Sequence, residues 1–183
     1  MFSVAGASLF LPFLPMLPVQ ILLANFLTDF PALGISSDRV DQELVERPRR
    51  WNVTQIRNFM FTFGGVSSVF DYLAFGFLIL VVRASPETFR TGWFIESVMT
   101  ELAVMLVIRT RRPFFRSRVG GVLAAASAAV ACVALLIPYL PFGRLLGLTP
   151  LAPSLLLTML GITGLYILAT EATKRAFYRR GRS

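Results

Sequence analysis

The chain alternates long apolar stretches with short stretches rich in arginine. A helix that spans a membrane needs roughly 20 mostly apolar residues, because the hydrocarbon layer is about 30 Å thick. Five stretches reach or approach that length: 17–34, 59–82, 93–108, 119–137 and 153–171. A sixth, over residues 1–16, is shorter and contains Pro12 and Pro15. Because lipid cannot satisfy free backbone groups, all of these stretches are expected to be α-helical.

This pattern predicts an all-α fold, a polytopic helical membrane bundle with about five full transmembrane helices and a partial N-terminal one. Composition agrees, with 55% hydrophobic residues, 15% charged residues and a mean hydropathy of +0.68. The chain has one Cys and no His, so it cannot form an internal disulfide framework or a Cys/His zinc site. Ser–His and Cys–His nucleophilic catalysis are excluded within this chain for the same reason. We predict no catalytic residues here.

The net charge of +8 would suggest a nucleic-acid partner in a soluble protein. Here the basic residues lie between apolar stretches, which indicates a lipid bilayer and no nucleic acid. The stretches 38–57, 109–118 and 174–182 hold five basic residues each, and alternating helices place them on one side. Only Arg83, Arg90 and Arg144 fall on the other side. The sequence therefore predicts a multi-pass protein of the cell membrane with a cytoplasmic C-terminus.

Local signals add two expectations about the helices. Asn52 and Gln55 have the spacing of a capping box at the start of the helix that covers 59–82. Gly120, Ala124 and Ala128 recur every four residues, a spacing that lets a neighbouring helix approach closely. We expect that stripe to serve packing.

Four carboxylates lie inside the apolar stretches: Asp29, Asp71, Glu96 and Glu101. An ionised side chain near the bilayer centre costs about 2.5–3.5 kcal/mol, so each needs a partner, a cavity or a role. For Asp71 we expect a local hydrogen bond, since Ser67, Ser68 and Tyr72 are close in sequence. Glu96 and Glu101 are five residues apart, so at most one of them is expected to face Asp29.

Asn25, Thr28 and Asp29 form the most suggestive polar group. Asn25 and Asp29 are four residues apart and share one helix face, with Thr28 beside them. Together they offer the all-oxygen set that hard cations such as Mg²⁺, Ca²⁺ or Na⁺ prefer. Pro18 and Pro31 frame the helix, and proline removes backbone donors and frees carbonyls. The pattern alone leaves an ion site and ordinary interhelical hydrogen bonds about equally supported.

The stretch over 11–29 reads LPFLPMLPVQILLANFLTD, which resembles the end of the fifth and the whole of the sixth membrane helix of P-type cation-transporting ATPases. In that superfamily an Asn and an Asp four residues apart, with Thr before the Asp, bind the transported cation. The resemblance therefore implies Asn25, Thr28 and Asp29 as metal ligands, with Glu96 as a further candidate. The segments FGGVSSVFDYLAF and TGWFIESVMTELAVMLVIRTRRPFF look most like the magnesium-transporting subclass.

The resemblance covers essentially residues 1–183, as membrane helices six to ten with part of helix five. It implies the cation-transporting membrane domain of an ATP-driven pump, with Mg²⁺ import expected and a Ca²⁺ pump as the alternative, since Thr28 resembles the calcium pattern. Mg²⁺ would be the transported ion or the ATP cofactor of the parent pump. The expected protein partner is the N-terminal remainder of the pump, helices one to five and the cytoplasmic domains.

The DKTGT segment that carries the phosphorylated Asp of these pumps does not occur in this chain, so by itself the chain is not expected to hydrolyse ATP. The apolar beginning predicts that the sequence starts inside a longer protein. A stand-alone, non-enzymatic membrane protein is the alternative: a secondary transporter, or a regulatory or scaffold subunit.

Overall fold

The computed structural model describes residues 2–35, 38, 53–110 and 112–180. The helices are α1 (Phe2–Phe10), α2 (Pro18–Gly34), α3 (Val53–Gly76), α4 (Pro86–Ile108), α5 (Gly121–Leu136), the short α6 (Pro141–Leu145) and α7 (Pro153–Arg180). A π-helical turn, Phe77–Val81, extends α3, and 3₁₀ turns cover Phe114–Arg116 and Ile137–Tyr139. The described residues contain no β-strand, so the predicted all-α class is confirmed.

Among the described residues, four helical segments are long and apolar enough to cross a membrane: Val53–Val81, Pro86–Ile108, Gly121–Tyr139 and Pro153–Arg179. The remaining predicted span, α2, has 17 residues. At about 1.5 Å per residue it is roughly 25 Å long, slightly less than the hydrocarbon layer. The bundle therefore consists of four full-length helices and one that is marginally short.

The start of α4 follows local capping rather than hydropathy. α4 begins at Pro86, well before the predicted Trp93, because the Ser85 hydroxyl accepts a hydrogen bond from the Thr88 backbone N–H at 3.3 Å. Pro86 occupies the first turn, where a missing N–H costs nothing. α3 likewise begins at Val53 rather than residue 59, and the predicted cap residue Asn52 lies outside the described residues.

The helix α4 is the centre of the bundle. It packs against α2, α3, α5 and α7, and 61% of its most apolar stretch is buried, against 17% for α3. Phe89, Phe94 and Ile95 are completely enclosed. The Trp93 ring meets Phe75 edge-on, with centroids 4.6 Å apart.

The outer helices each bury one stripe. On α7 the buried residues recur every three or four positions: Leu155, Met159, Thr163, Tyr166, Thr170 and Lys174. On α5 the stripe is Leu123, Ser127, Val130 and Ala134. Ala124 and Ala128 are exposed, so the predicted close-packing stripe through them is wrong. The close approach comes instead from Gly34 of α2, where an added Cβ would lie 3.2 Å from the Leu123 Cα.

The predicted grouping of the arginine-rich stretches agrees with the contacts at one end of the bundle. The Arg109 guanidinium pairs with Asp38 at 2.7 Å, and Asp38 also accepts from the Gly120 N–H at 2.6 Å. The Lys174 ammonium donates to the carbonyl of Arg112 at 2.8 Å. The end of α2, the loop between α4 and α5, and α7 therefore meet there. The predicted basic residues Arg39, Arg47, Arg49, Arg50 and Arg182 lie outside the described residues.

The opposite end is joined mainly by neutral hydrogen bonds, together with one from the Arg90 guanidinium to the Leu14 carbonyl at 3.0 Å. The Gln20 amide donates to the carbonyls of Leu146 and Gly147, each at 3.0 Å. The Thr149 N–H donates to the Thr91 hydroxyl at 2.9 Å. These bonds fix the start of α2 and the start of α4 to the loop before α7.

Candidate functional site

The three predicted ligands on α2 do not all point into the bundle. Thr28 is buried, and its hydroxyl lies 3.1 Å from the Ala24 carbonyl and 3.2 Å from the Asn25 carbonyl. Asn25 and Asp29 are exposed. The helix therefore presents one enclosed hydroxyl and, next to it, two open oxygen-bearing side chains.

The proline in α2 does not end the helix. Pro31 is buried inside it, and the helix continues to Gly34. Proline has no N–H to donate to the carbonyl four residues earlier, that of Leu27, which is adjacent to Thr28. The backbone next to the predicted ligands is thus short of one helical hydrogen bond.

A polar cleft of about 320 Å³ opens between α1, α2, α3, α4 and α7. Asn25 lies at its α2 wall. Its other oxygen-bearing lining residues include Ser67, Asp71, Ser97, Glu101 and Tyr166. Every one of these groups is an oxygen donor of the kind that Mg²⁺ and Ca²⁺ prefer. Within the part of the chain that the structure describes, no three His, Cys, Asp or Glu side chains converge on one point. A hard cation held here would rely on few carboxylates and on hydroxyl, amide or water oxygens.

The carboxylate that faces the predicted ligands is Glu101. It lies across the contact between α2 and α4, beside the Thr28 hydroxyl and within electrostatic range of Asp29. Glu101 is not among the ligands predicted from the sequence, because nothing in its local pattern shows which helix it faces. Glu101 can be assigned to the candidate site only from the packing of α4 against α2.

Glu96 occupies a different position on α4. Its side chain is 1% exposed, and neither carboxylate oxygen has a hydrogen-bond partner among the described residues. The charge that acts on it is that of Asp71 on α3. Glu96 is thus within electrostatic range of Asp71, whereas Glu101 lies beside Thr28 and within electrostatic range of Asp29.

Asp71 is hydrogen-bonded, as expected, but its partners are distant in sequence. The Ser3 hydroxyl of α1 donates to one of its oxygens. The Trp93 indole N–H of α4 donates to the other at 3.4 Å. Asp71 therefore ties α1, α3 and α4 together at the wall of the cleft.

The fold and the cleft define a class: a polytopic helical membrane domain with oxygen-bearing side chains along an interior cleft. Residues 13–176 match the family model described as "Cation transporting ATPase, C-terminus". This match covers most of the chain, and the chain belongs to that family.

Individual relatives are similar along almost the whole chain. Magnesium-transporting ATPase, P-type 1, of Salmonella typhimurium strain 14028s is 39% identical over 184 residues, 98% of this chain. The protein of the same name from Escherichia coli strain K12 is 38% identical over 184 residues. Another from Salmonella typhimurium strain LT2 is 34% identical over 188 residues. The chain spans about 20% of the length of these curated relatives.

Proposed function

We propose that this chain is the C-terminal membrane domain of a P-type pump that imports Mg²⁺, and that it carries part of the intramembrane ion site. The observation that carries the proposal is the meeting of α2 and α4, where Glu101 faces Thr28 and Asp29. The names of the curated relatives and the small share of their length that the chain spans support the same reading.

The proposed site divides charge and neutral oxygens between two helices. Asp29 and Glu101 supply negative charge, while Asn25 and Thr28 supply an amide and a hydroxyl oxygen. Asn25, Asp29 and Glu101 are exposed in this chain, which leaves their outer side open to the helices of the N-terminal remainder. Mg²⁺ gives up its water reluctantly and binds with few carboxylates, so a site of this composition suits it.

The test is Asp29→Asn in the complete pump. We expect this variant to lose Mg²⁺-stimulated ATP hydrolysis, because the amide keeps the shape of the side chain and removes its charge. Glu87→Gln is the matched control: Glu87 is an exposed carboxylate at the start of α4, away from the cleft. A pump with Asp29→Asn and unchanged dependence on Mg²⁺ would remove Asp29 from the site.

Ca²⁺ is the alternative transported ion. An experiment with both ions present shows which of the two the pump transports. We expect ATP-driven accumulation of Mg²⁺ in vesicles that hold the complete pump, even with excess Ca²⁺, whereas accumulation of Ca²⁺ instead identifies a calcium pump. If no DKTGT-bearing segment accompanies this chain in its source protein, the stand-alone membrane protein replaces the pump.

The orientation in the membrane belongs to the same proposal. The end of the bundle that holds Arg109 and Lys174 faces the cytoplasm under the positive-inside rule. A reporter enzyme fused after Ser183, active only in the cytoplasm, is expected to be active. An inactive reporter would reverse the orientation.

A further inference from the structure

The start of α2, the helix that carries the predicted ligands, is held by the side chain of Gln20. This residue is completely buried. Its amide oxygen accepts a hydrogen bond from the Leu17 N–H at 2.9 Å. Its amide nitrogen donates to the carbonyls of Leu146 and Gly147, each at 3.0 Å. The oxygen therefore caps α2, while the nitrogen joins α2 to the loop between α6 and α7.

That loop is itself fixed to the rest of the bundle. Leu148 is completely buried, and the Thr149 N–H donates to the Thr91 hydroxyl of α4 at 2.9 Å. The Tyr139 hydroxyl donates to the Leu151 carbonyl at 2.9 Å. The carbonyls that accept from the buried glutamine thus belong to an anchored segment, which can serve as a fixed reference for α2.

The loop also approaches α2 closely at Gly147. Its φ of +70° lies in the left-handed region that favours glycine. An added Cβ would lie 2.7 Å from the Cδ1 of Leu17 and 3.4 Å from the amide nitrogen of Gln20. A side chain at position 147 would therefore push the loop and α2 apart.

The contact at Gln20 controls the placement of the ligands because α2 is a continuous helix. Asn25, Thr28 and Asp29 follow Gln20 by five, eight and nine residues, which corresponds to about 7, 12 and 14 Å along the helix axis. Gln20 and Thr28 both belong to the buried stripe of α2. A rotation or a shift of α2 at its start therefore changes where all three ligands lie relative to α4.

We propose that Gln20 is a positioning residue of the ion site: its bonds to the loop set the rotation and the height of α2. It is not one of the residues that line the polar cleft, so it acts through the ligands and not on the ion. This inference rests on the proposed function in taking Asn25, Thr28 and Asp29 as ligands.

The experiment measures the affinity for Mn²⁺, a substitute for Mg²⁺ with an electron paramagnetic resonance signal, on the complete pump purified in detergent without ATP. The relevant affinity is the one that Asp29→Asn removes. Gln20→Met keeps the length of the side chain and loses all three hydrogen bonds. We expect it to weaken that affinity about 10–100-fold, the range for residues that orient metal ligands.

Two further variants separate the contact from its surroundings. Gly147→Ala leaves Gln20 and every ligand in place but forces the loop away, so we expect it to weaken Mn²⁺ binding as well. Thr91→Val is the matched control: it loosens the same end of the bundle by removing the acceptor of the Thr149 N–H, without touching α2. We expect its affinity for Mn²⁺ to equal that of wild type.

The outcomes distinguish the inference from the proposed function. If Gln20→Met and Gly147→Ala bind Mn²⁺ as tightly as wild type while Asp29→Asn does not, the positioning role is overturned and the ion site stands. If Asp29→Asn binds as tightly as wild type, the proposed site itself fails. If Thr91→Val weakens binding as much as Gln20→Met, general loosening of this end is the cause and the inference is overturned.

Thermal unfolding and a double variant separate positioning from stability alone. A Gln20→Met pump that unfolds at a lower temperature but keeps its affinity for Mn²⁺ would show a merely structural role. Gln20→Met/Gly147→Ala is expected to bind no more weakly than the worse single variant, because both changes break one contact. Effects that add in full would contradict the inference. If Gln20→Met does not fold, the comparison of Gly147→Ala with Thr91→Val decides.

Discussion

The two ends of the bundle are joined by different chemistry. At one end, charged side chains are buried: Lys174 and Glu171 are 1% and 8% exposed, and Arg109 and Asp38 are 5% and 3% exposed. At the other end, Gln20 makes neutral hydrogen bonds to backbone carbonyls, and the Arg90 guanidinium donates to the Leu14 carbonyl rather than to a buried carboxylate. Both ends join helices that are far apart in sequence.

The difference shows that the basic residues do more than set orientation. Positive-inside counting explains why arginine and lysine gather on one side. It does not explain why Lys174 is enclosed and donates to the carbonyls of Val107 and Arg112. Those bonds satisfy carbonyls at the end of α4 and in the loop that follows it, where no helical donor remains. Lys174 therefore also caps the C-terminal end of α4, in addition to adding positive charge at this end of the bundle.

The largest expected effect is at the charged end. Lys174→Met removes the donor to two carbonyls and leaves the buried Glu171 with Arg175 as its one charged partner among the described residues. We expect a loss of about 3–5 kcal/mol in the free energy of unfolding, measured by denaturant titration in detergent. Arg175→Met is the matched control. Its side chain is 56% exposed, and its pair with Glu171 is worth only about 0.3–0.5 kcal/mol.

A double replacement sharpens this result. Lys174→Met/Glu171→Met removes both buried charges and is expected to be more stable than Lys174→Met alone. A double variant that is less stable than the single one would mean that Glu171 contributes chiefly through the Phe114 N–H, 3.4 Å away.

Asp38→Asn is expected to have the next largest effect. The substitution removes the negative charge that forms an ion pair with the Arg109 guanidinium at 2.7 Å. It keeps a side-chain oxygen that accepts from the Gly120 N–H. We expect a loss of about 1.5–3 kcal/mol, the range for hydrogen bonds to charged groups. The measurement is the same denaturant titration. An unchanged stability would show that α2 is not fixed through Asp38.

Gln20→Leu tests the neutral end. The side chain is fully buried, and its loss leaves the carbonyls of Leu146 and Gly147 without that donor and the Leu17 N–H without its acceptor. We expect a cost of about 1–3 kcal/mol. Val19→Leu, an exposed change one residue earlier, is the control and is expected to have little effect. A Gln20→Leu protein of wild-type stability would contradict the role assigned to this end.

Thr91→Val is expected to be the mildest change. It removes the acceptor of the Thr149 N–H at 2.9 Å while conserving shape. We expect a loss of about 0.5–1.5 kcal/mol in the free energy of unfolding. Combined with Asp38→Asn at the far end, its effect is expected to add within about 0.5 kcal/mol. Marked non-additivity would show that α4 transmits strain from one end to the other.

The helical class follows from the sequence because apolar length alone determines it. The helix starts were less predictable, since the polar first turn of α4 is held by the Ser85 cap rather than by lipid. The stripe through Ala124 and Ala128 was wrong because small residues allow close approach but do not choose the face. On α5 the larger Leu123 and Val130 determine which face is buried.

The residues of the candidate site, too, could be predicted from the sequence only in part. Thr28 and Asp29 could be selected from their spacing and from the family resemblance. Glu101 could not, because its partners lie on another helix. The partners of Asp71 are 68 and 22 residues away along the chain, so no local pattern could have identified them.

The central position of α4 has a consequence for biosynthesis. A nascent chain leaves the ribosome in order, so α4 enters the bilayer before α5 and α7 exist to enclose it. Until the segment from Pro153 is made, Glu96 lacks the α7 wall that shields it in the finished bundle. Insertion of α4 before α7 is made would therefore expose the Glu96 carboxylate at a cost that the finished bundle avoids.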